Sequence, residues 1–273
     1  MTGPVLVLIL AGLCFATAAA VGYLEVRRHK RGMGPYLLSA TLFGVAVNGG
    51  YVVWALLDHG PVGTFRQNHE AAMLLATLVA MAAVGTHFSR ALRGLDGVLL
   101  LLATVVNLLA LAAVGEPASP VTYKSWFVSH SVAFAVSGAC FVIGGAAGMA
   151  YLLVHRVLHR KRALDLMGRV ASLESLDRFG RWMMALGFPL FTYGILTGMC
   201  GVAHREDLRR TAWYLDGSVL VSALVWLVYA CLLGSLTFRP QVRGRQAALL
   251  ATCGMWLTVI VFLLREFGSP IHQ

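Results

Sequence analysis

The chain has 273 residues, 58% of them hydrophobic and 12% charged, with a formal net charge of +10 and a mean hydropathy of +0.75. A soluble domain carries about 25% charged residues, so an ordinary water-soluble fold is excluded. A nucleic-acid binder is disfavoured too, because the basic residues gather at segment ends rather than on one folded basic face.

Taken in order, the long uncharged runs predict an all-α, polytopic membrane helix bundle with about eight transmembrane helices in a single membrane domain. Each run approaches the roughly 20 residues that cross the hydrocarbon layer, and in lipid a single segment satisfies its backbone polar groups only as a helix. The first run is Val5–Leu24. Met1 to Pro4 carry no Lys or Arg, whereas Arg27, Arg28, Lys30 and Arg31 follow the run. That bias marks a retained span with its N-terminus outward, not a cleaved leader. Tyr36–Leu57, Ala71–His87 and Gly97–Val114 come next, with Arg90 and Arg93 between the last two. The fifth and sixth runs, Trp126–Leu153 and Trp182–Val202, flank the longest interior loop, 155–181. There Leu166, Val170, Leu173 and Leu176 recur at helical spacing among charged residues, so an amphipathic helix on the inner leaflet is expected. Gly217–Phe238 and Ala247–Leu264 complete the set. Most basic residues fall in alternate loops, which places both termini on the outer side of what reads as a bacterial inner membrane.

The small-residue pairs Gly144/Gly148 and Gly194/Gly198 let helix backbones approach closely, and packing within one chain is the favoured reading. The five cysteines form no C-x-x-C unit, which excludes a thiol oxidoreductase or covalent haem carrier by motif. Asn48 and Asn107 are polar residues within spans, thin support for a small-molecule transporter. A subunit of a larger membrane electron-transfer complex is a further alternative.

Chemistry concentrates near the seventh run. Trp213-Tyr214-Leu215-Asp216 leads into it, and Ser218, Ser222, Trp226 and Tyr229 recur along one face of it. Of nine histidines, His29, His155, His159 and His87 read as inner-side residues, and His59, His69 and His204 as residues of outer loops. His130, entering the fifth span, and His272, beyond the eighth, are expected near the same membrane face. Haem iron commonly takes one or two axial imidazoles, and aromatic faces suit a flat porphyrin. The competing reading is an interfacial aromatic belt plus packing.

Several stretches carry a resemblance. Ser172-Leu173-Glu174-Ser175-Leu176-Asp177-Arg178, Leu186-Gly187-Phe188-Pro189-Leu190, Gly194 to Gly198 and Trp226-Leu227-Val228-Tyr229-Ala230 together resemble the cytochrome c assembly family that includes CcsA, ResC, CcmC and HemX-type proteins. The resemblance implies non-covalent haem b held at the outer face, with His130 and His272 as axial ligands and Trp213, Asp216, Trp226 and Tyr229 lining the platform. It implies apocytochrome c or another assembly subunit as partner, and at most a part in a haem-attachment (cytochrome c synthetase) system rather than independent catalytic activity. The family's signature W-x-W-D-P-K-E is degenerate here: Leu215 replaces the second tryptophan, and Gly217, Ser218 and Val219 replace Pro-Lys-Glu. Asn48 stands where the family places a membrane-embedded histidine. The short length is similar to HemX, which implies an alternative role regulating tetrapyrrole synthesis through a cytoplasmic haem-biosynthesis enzyme docked on the inner loop.

Overall fold

A computed structural model of the chain describes residues 2–28, 33–63, 68–114, 125–159, 171–203, 213–238 and 244–267. It contains the long helices α1 (Thr2–Arg28), α2 (Gly34–Gly63), α3 (Asn68–His87), α4 (Leu95–Ala112), α5 (Ser125–His159), α6 (Leu173–Ala203), α7 (Gly217–Phe238) and α8 (Arg245–Phe267). All eight are long and apolar enough to cross a membrane, and the described residues include no strand. The bundle is therefore the all-helical one that composition predicts.

Two cores share one wall. Phe15, Leu37, Val79 and Leu99 hold α1 to α4 together, and α5 closes this cluster with Val142, Ile143, Ala146 and Ala147. On its other side α5 contributes Phe141 to a second cluster with Phe191 of α6, Tyr229 of α7 and Ala251 of α8. The close approach that the glycine pairs predict occurs inside the chain. A Cβ at Gly148 would lie 2.8 Å from the Ala248 carbonyl oxygen of α8, and one at Gly144 would lie 3.3 Å from the Gly180 carbonyl oxygen of α6. Without a hydrophobic force between helices in lipid, such backbone proximity supplies the dispersion contact that holds them.

Polar ties stitch the first half. Asn48 donates to the Met73 carbonyl oxygen at 3.0 Å and to Thr77 Oγ1 at 3.1 Å, joining α2 to α3. Asn107 donates to the Leu8 carbonyl oxygen at 2.7 Å, joining α4 to α1. Both asparagines thus act as helix-to-helix fasteners. Asn48→Leu is expected to weaken the α2–α3 seam by about 1 kcal/mol, visible as a lowered thermal midpoint in detergent with secondary structure retained.

Helix ends differ from the apolar runs. His69, read from sequence as an outer-loop residue, lies in the first turn of α3 and is buried, as is Glu70. The helix starts before the apolar run, and Tyr51 of α2 lies beside this turn, its ring 6.5 Å from that of His69. His87 is not merely a solvated end: its Nδ1 lies 2.8 Å from Asp96 Oδ2, clamping α3 to α4. The expected amphipathic segment 155–181 divides between elements. Its beginning is the last turn of α5, residues 160–170 lie outside the described residues, and Leu173 onward opens α6. Ser172 caps that helix by accepting the Ser175 amide on Oγ at 3.1 Å, and the i,i+4 pairs Glu174–Arg178 and Asp177–Arg181 extend the first turns.

Candidate functional site at the His130 end of the bundle

The second half of the molecule gathers most of the candidate residues around α6. At ~100° per residue, Gly187, Phe191, Gly194 and Gly198 share one face, and Phe188, Thr192 and Ile195 share the next. The first face meets α5: a Cβ at Gly187 would lie 2.8 Å from that of Cys140, and Phe191 packs on Phe134 and Phe141 at 4.8 and 5.4 Å. The second meets α7 through Trp226. Helix α6 is the corner between them.

His130 sits in a notch on that first face. Its Nδ1 lies 2.8 Å from the carbonyl oxygen of Gly194. A carbonyl only accepts, so Nδ1 carries the proton, and in the neutral ring Nε2 holds a lone pair. The ring lies over Gly198, where a Cβ would come within 2.8 Å of His130 Cε1 and 2.9 Å of Nδ1. Phe134, one turn along α5, flanks the imidazole at 4.7 Å. The G-x-x-x-G of α6 is thus a histidine seat as well as a packing motif. Thr197 donates to the same Gly194 carbonyl at 2.9 Å.

Trp226 meets the second face. Its indole Nε1–H donates to Thr192 Oγ1 at 3.0 Å, and its ring lies 5.6 Å from Phe188. The centres of the two α6 attachments, Phe188–Thr192 and Gly194–Gly198, are roughly 9 Å apart along the axis at 1.5 Å per residue. Tyr229 lies deeper in α7. It is fully buried and stacks on Phe141 with ring centroids 3.7 Å apart and an interplanar angle of 10°.

The segment before α7 forms a short 3-10 turn, Trp213–Leu215. Trp213 is half-buried and meets Tyr214 edge-on at 6.2 Å. Asp216 closes the turn and caps α7: its Oδ1 accepts from the Ser218 amide at 2.8 Å and from the Ser218 hydroxyl, while its carbonyl accepts the Leu220 amide at 3.0 Å. A carboxylate there is favoured by the positive end of the helix. His272 lies outside the described residues. So His130 and Trp226 are brought onto adjoining faces of one helix, Trp213 and Asp216 sit at the start of α7, and Tyr229 is set in the core behind them. Sequence reasoning missed Thr192, Phe188 and Phe134 as partners. The only available signal was their helical spacing from Gly194 and His130.

The chain is similar to the cytochrome c biogenesis protein CcsA of Thermosynechococcus vestitus, 34% identical over 106 residues covering 38% of this chain and 32% of that protein. It is 25% identical over 200 residues to CcsA of Synechococcus elongatus, covering 58% and 60% of the two chains. Against CcsA of Chlamydomonas reinhardtii identity is 24% over 159 residues, covering 58% and 43%. The chain therefore spans between about a third and three-fifths of the length of these relatives. No solved structure matches it. The match to the family described as "Cytochrome C assembly protein" runs over residues 5–272, taking in all eight helices and the His130 seat, and on that extent the chain belongs to the cytochrome c assembly family.

Proposed function

We propose that this protein binds haem b non-covalently at the end of the bundle where His130 lies, and presents it for cytochrome c assembly. The observation that carries the reading is the His130 seat. A histidine that ligates a metal through Nε2 is commonly oriented by a backbone carbonyl or carboxylate on Nδ1, and the Gly194 carbonyl supplies that bond at 2.8 Å. Phe134 flanks the imidazole at 4.7 Å, and an aromatic ring beside the ligand suits the apolar face of a porphyrin. The charge distribution along the sequence assigns this end to the outer side. A bacterial inner membrane, with the outer face toward the periplasm, is the setting that fits.

In this reading His130 and His272 would be the residues that hold the iron. His272 follows Phe267, the last residue of α8, by five residues, a reach of up to ~17 Å if extended. Trp226 and Trp213 form the platform, Asp216 sets the turn that carries Trp213, and Tyr229 supports Trp226 from behind. When bound, haem supplies a ligand-exchangeable iron and vinyl groups open to thiol addition. The chain's own residues orient it and exclude water from one face. Leu215 and Gly217 to Val219, which replace the family's tryptophan and its Pro-Lys-Glu run, favour holding and handing over haem to apocytochrome c or another assembly subunit above covalent attachment by this chain alone.

An absorption spectrum of the detergent-purified protein tests the proposal. Wild type titrated with hemin is expected to show an imidazole-ligated Soret band, and His130→Ala is expected to weaken binding by at least the roughly 10–100-fold that loss of a ligand's orienting partner costs. A titration in which the spectrum stays that of free hemin in detergent, or a His130→Ala spectrum and affinity unchanged from wild type, refutes it.

A further inference from the structure

We propose that Glu70, in the first turn of α3, is a proton-binding site: it sits in the closed bundle as a neutral carboxylic acid, and its ionisation opens the adjoining seam between α2 and α3. The inference is independent of haem and of the His130 seat.

Among the described residues two acids are buried, Asp96 and Glu70. Asp96 is satisfied on both oxygens, by His87 Nδ1 at 2.8 Å and by the Gly97 amide at 2.9 Å. Glu70 is 2% exposed, and its Oε2 is buried with no hydrogen-bond partner. The neighbouring His69, also 2% exposed, leaves its Nε2 unpartnered in the same way. No bond from that nitrogen holds a carboxylate in place.

The surroundings supply no compensating charge. Tyr51 is the titratable group that faces the pair from α2, with Trp54 packed on it at 5.5 Å. Asp58 is exposed two turns farther along that helix. Just below the acid, Ala72 and Leu75 meet Val106 and Leu109 of α4, Val142 of α5 and Phe262 of α8, an all-apolar layer. The facing stretches 103–112 of α4 and 255–263 of α8 contain no ionisable side chain, and Cys140 of α5 is turned to Gly187 of α6.

An unpaired carboxylate loses far more on leaving water than a neutral carboxyl does. The positive end of α3 offsets only a small part of that loss. Glu70 therefore keeps its proton while the seam is closed. When the proton passes to water, the carboxylate left behind must be hydrated, and the turn that bears it moves away from Tyr51. Deeper in the seam Asn48 binds the Met73 carbonyl and Thr77, so the opening stops at that tie. Asn48 Oδ1 is itself buried without a partner and gives entering water a second group to bind.

The experiment compares wild type with Glu70→Gln, a neutral side chain of the same shape, in detergent without haem. Infrared difference spectra at neutral pH are expected to show the C=O stretch of a protonated carboxylic acid in wild type and its loss in Glu70→Gln. The second readout is hydrogen exchange at the amides of residues 72–74, which close the first turn of α3, corrected for the intrinsic effect of pH on exchange. It is expected to speed up several-fold in wild type as the acid band titrates away, and to stay unchanged in Glu70→Gln. An absent acid band overturns the proposal, because Glu70 is then ionised in the closed bundle. A band that titrates with no change in exchange at 72–74 overturns it too, because the charge then opens nothing. If Glu70→Gln proves too unstable to purify, wild type alone carries the test, since band and exchange must titrate together. Neither readout involves hemin, so a failed His130→Ala test leaves this result standing.

Discussion

Gly198→Ala is expected to reproduce most of the haem-binding loss of His130→Ala although it removes no ligand. The added methyl would come within 2.8 Å of His130 Cε1 and 2.9 Å of Nδ1, closer than carbon and nitrogen tolerate. The imidazole is the movable partner, because the α6 backbone is fixed against α5 at Gly187 and Phe191. The ring must swing, and the bond from Nδ1–H to the Gly194 carbonyl is lost. Losing such an orienting bond lowers metal affinity about 10–100-fold. Hemin titration followed at the Soret band measures it. Gly201→Ala is the control, since a Cβ there meets nothing within 4 Å; it should bind hemin as wild type does. A Gly198→Ala protein with full affinity would mean that the seat does not orient the ligand.

Tyr229→Ala should act on stability before it acts on haem. The side chain is fully buried and stacked on Phe141 at 3.7 Å, where α5, α7 and α8 meet. Truncating a buried aromatic of this size costs about 3–5 kcal/mol, because the surrounding helices relax only partly into the cavity. Tyr229→Phe keeps the ring and is expected to stay within about 1–2 kcal/mol of wild type. Thermal or denaturant unfolding in detergent, run beside hemin titration at low temperature, separates the effects. Tyr229→Ala should show the large stability loss with hemin affinity lowered less than in His130→Ala. The opposite order would place Tyr229 in direct contact with the ligand.

The stretch from Gly187 to Tyr229 shows where sequence reading carries and where it stops. The apolar runs that become α6 and α7 are legible residue by residue, because lipid crossing depends on local hydropathy and length. The glycine pair at 194 and 198 is legible as a place of close approach. That its occupant is an imidazole is not, since His130 lies 64 positions earlier in the chain and sequence spacing holds no information on which helix faces which. Asp216 illustrates a milder shortfall. Its position at the start of a span is evident in the sequence, but that its carboxylate caps its own helix through Ser218 is seen only in the structure. The first turn of α3 at His69 is not legible in hydropathy, because backbone hydrogen bonding extends a helix beyond its apolar run.

The amino-acid sequence by itself determined that this protein is a helical membrane bundle and which segments cross, because burial in lipid is decided within each segment by its own side chains and its own hydrogen bonds. It also carried the order of motifs by which the family is recognised. Only the tertiary structure decided that α6 is the corner on which His130 and Trp226 are both hung, that Tyr229 belongs to the core behind them, and that Asn48 and Asn107 fasten helices together. Those pairings depend on which small residues come opposite which large ones once eight helices of similar apolarity are packed. In lipid that choice rests on shape and a few directed hydrogen bonds between distant parts of the chain.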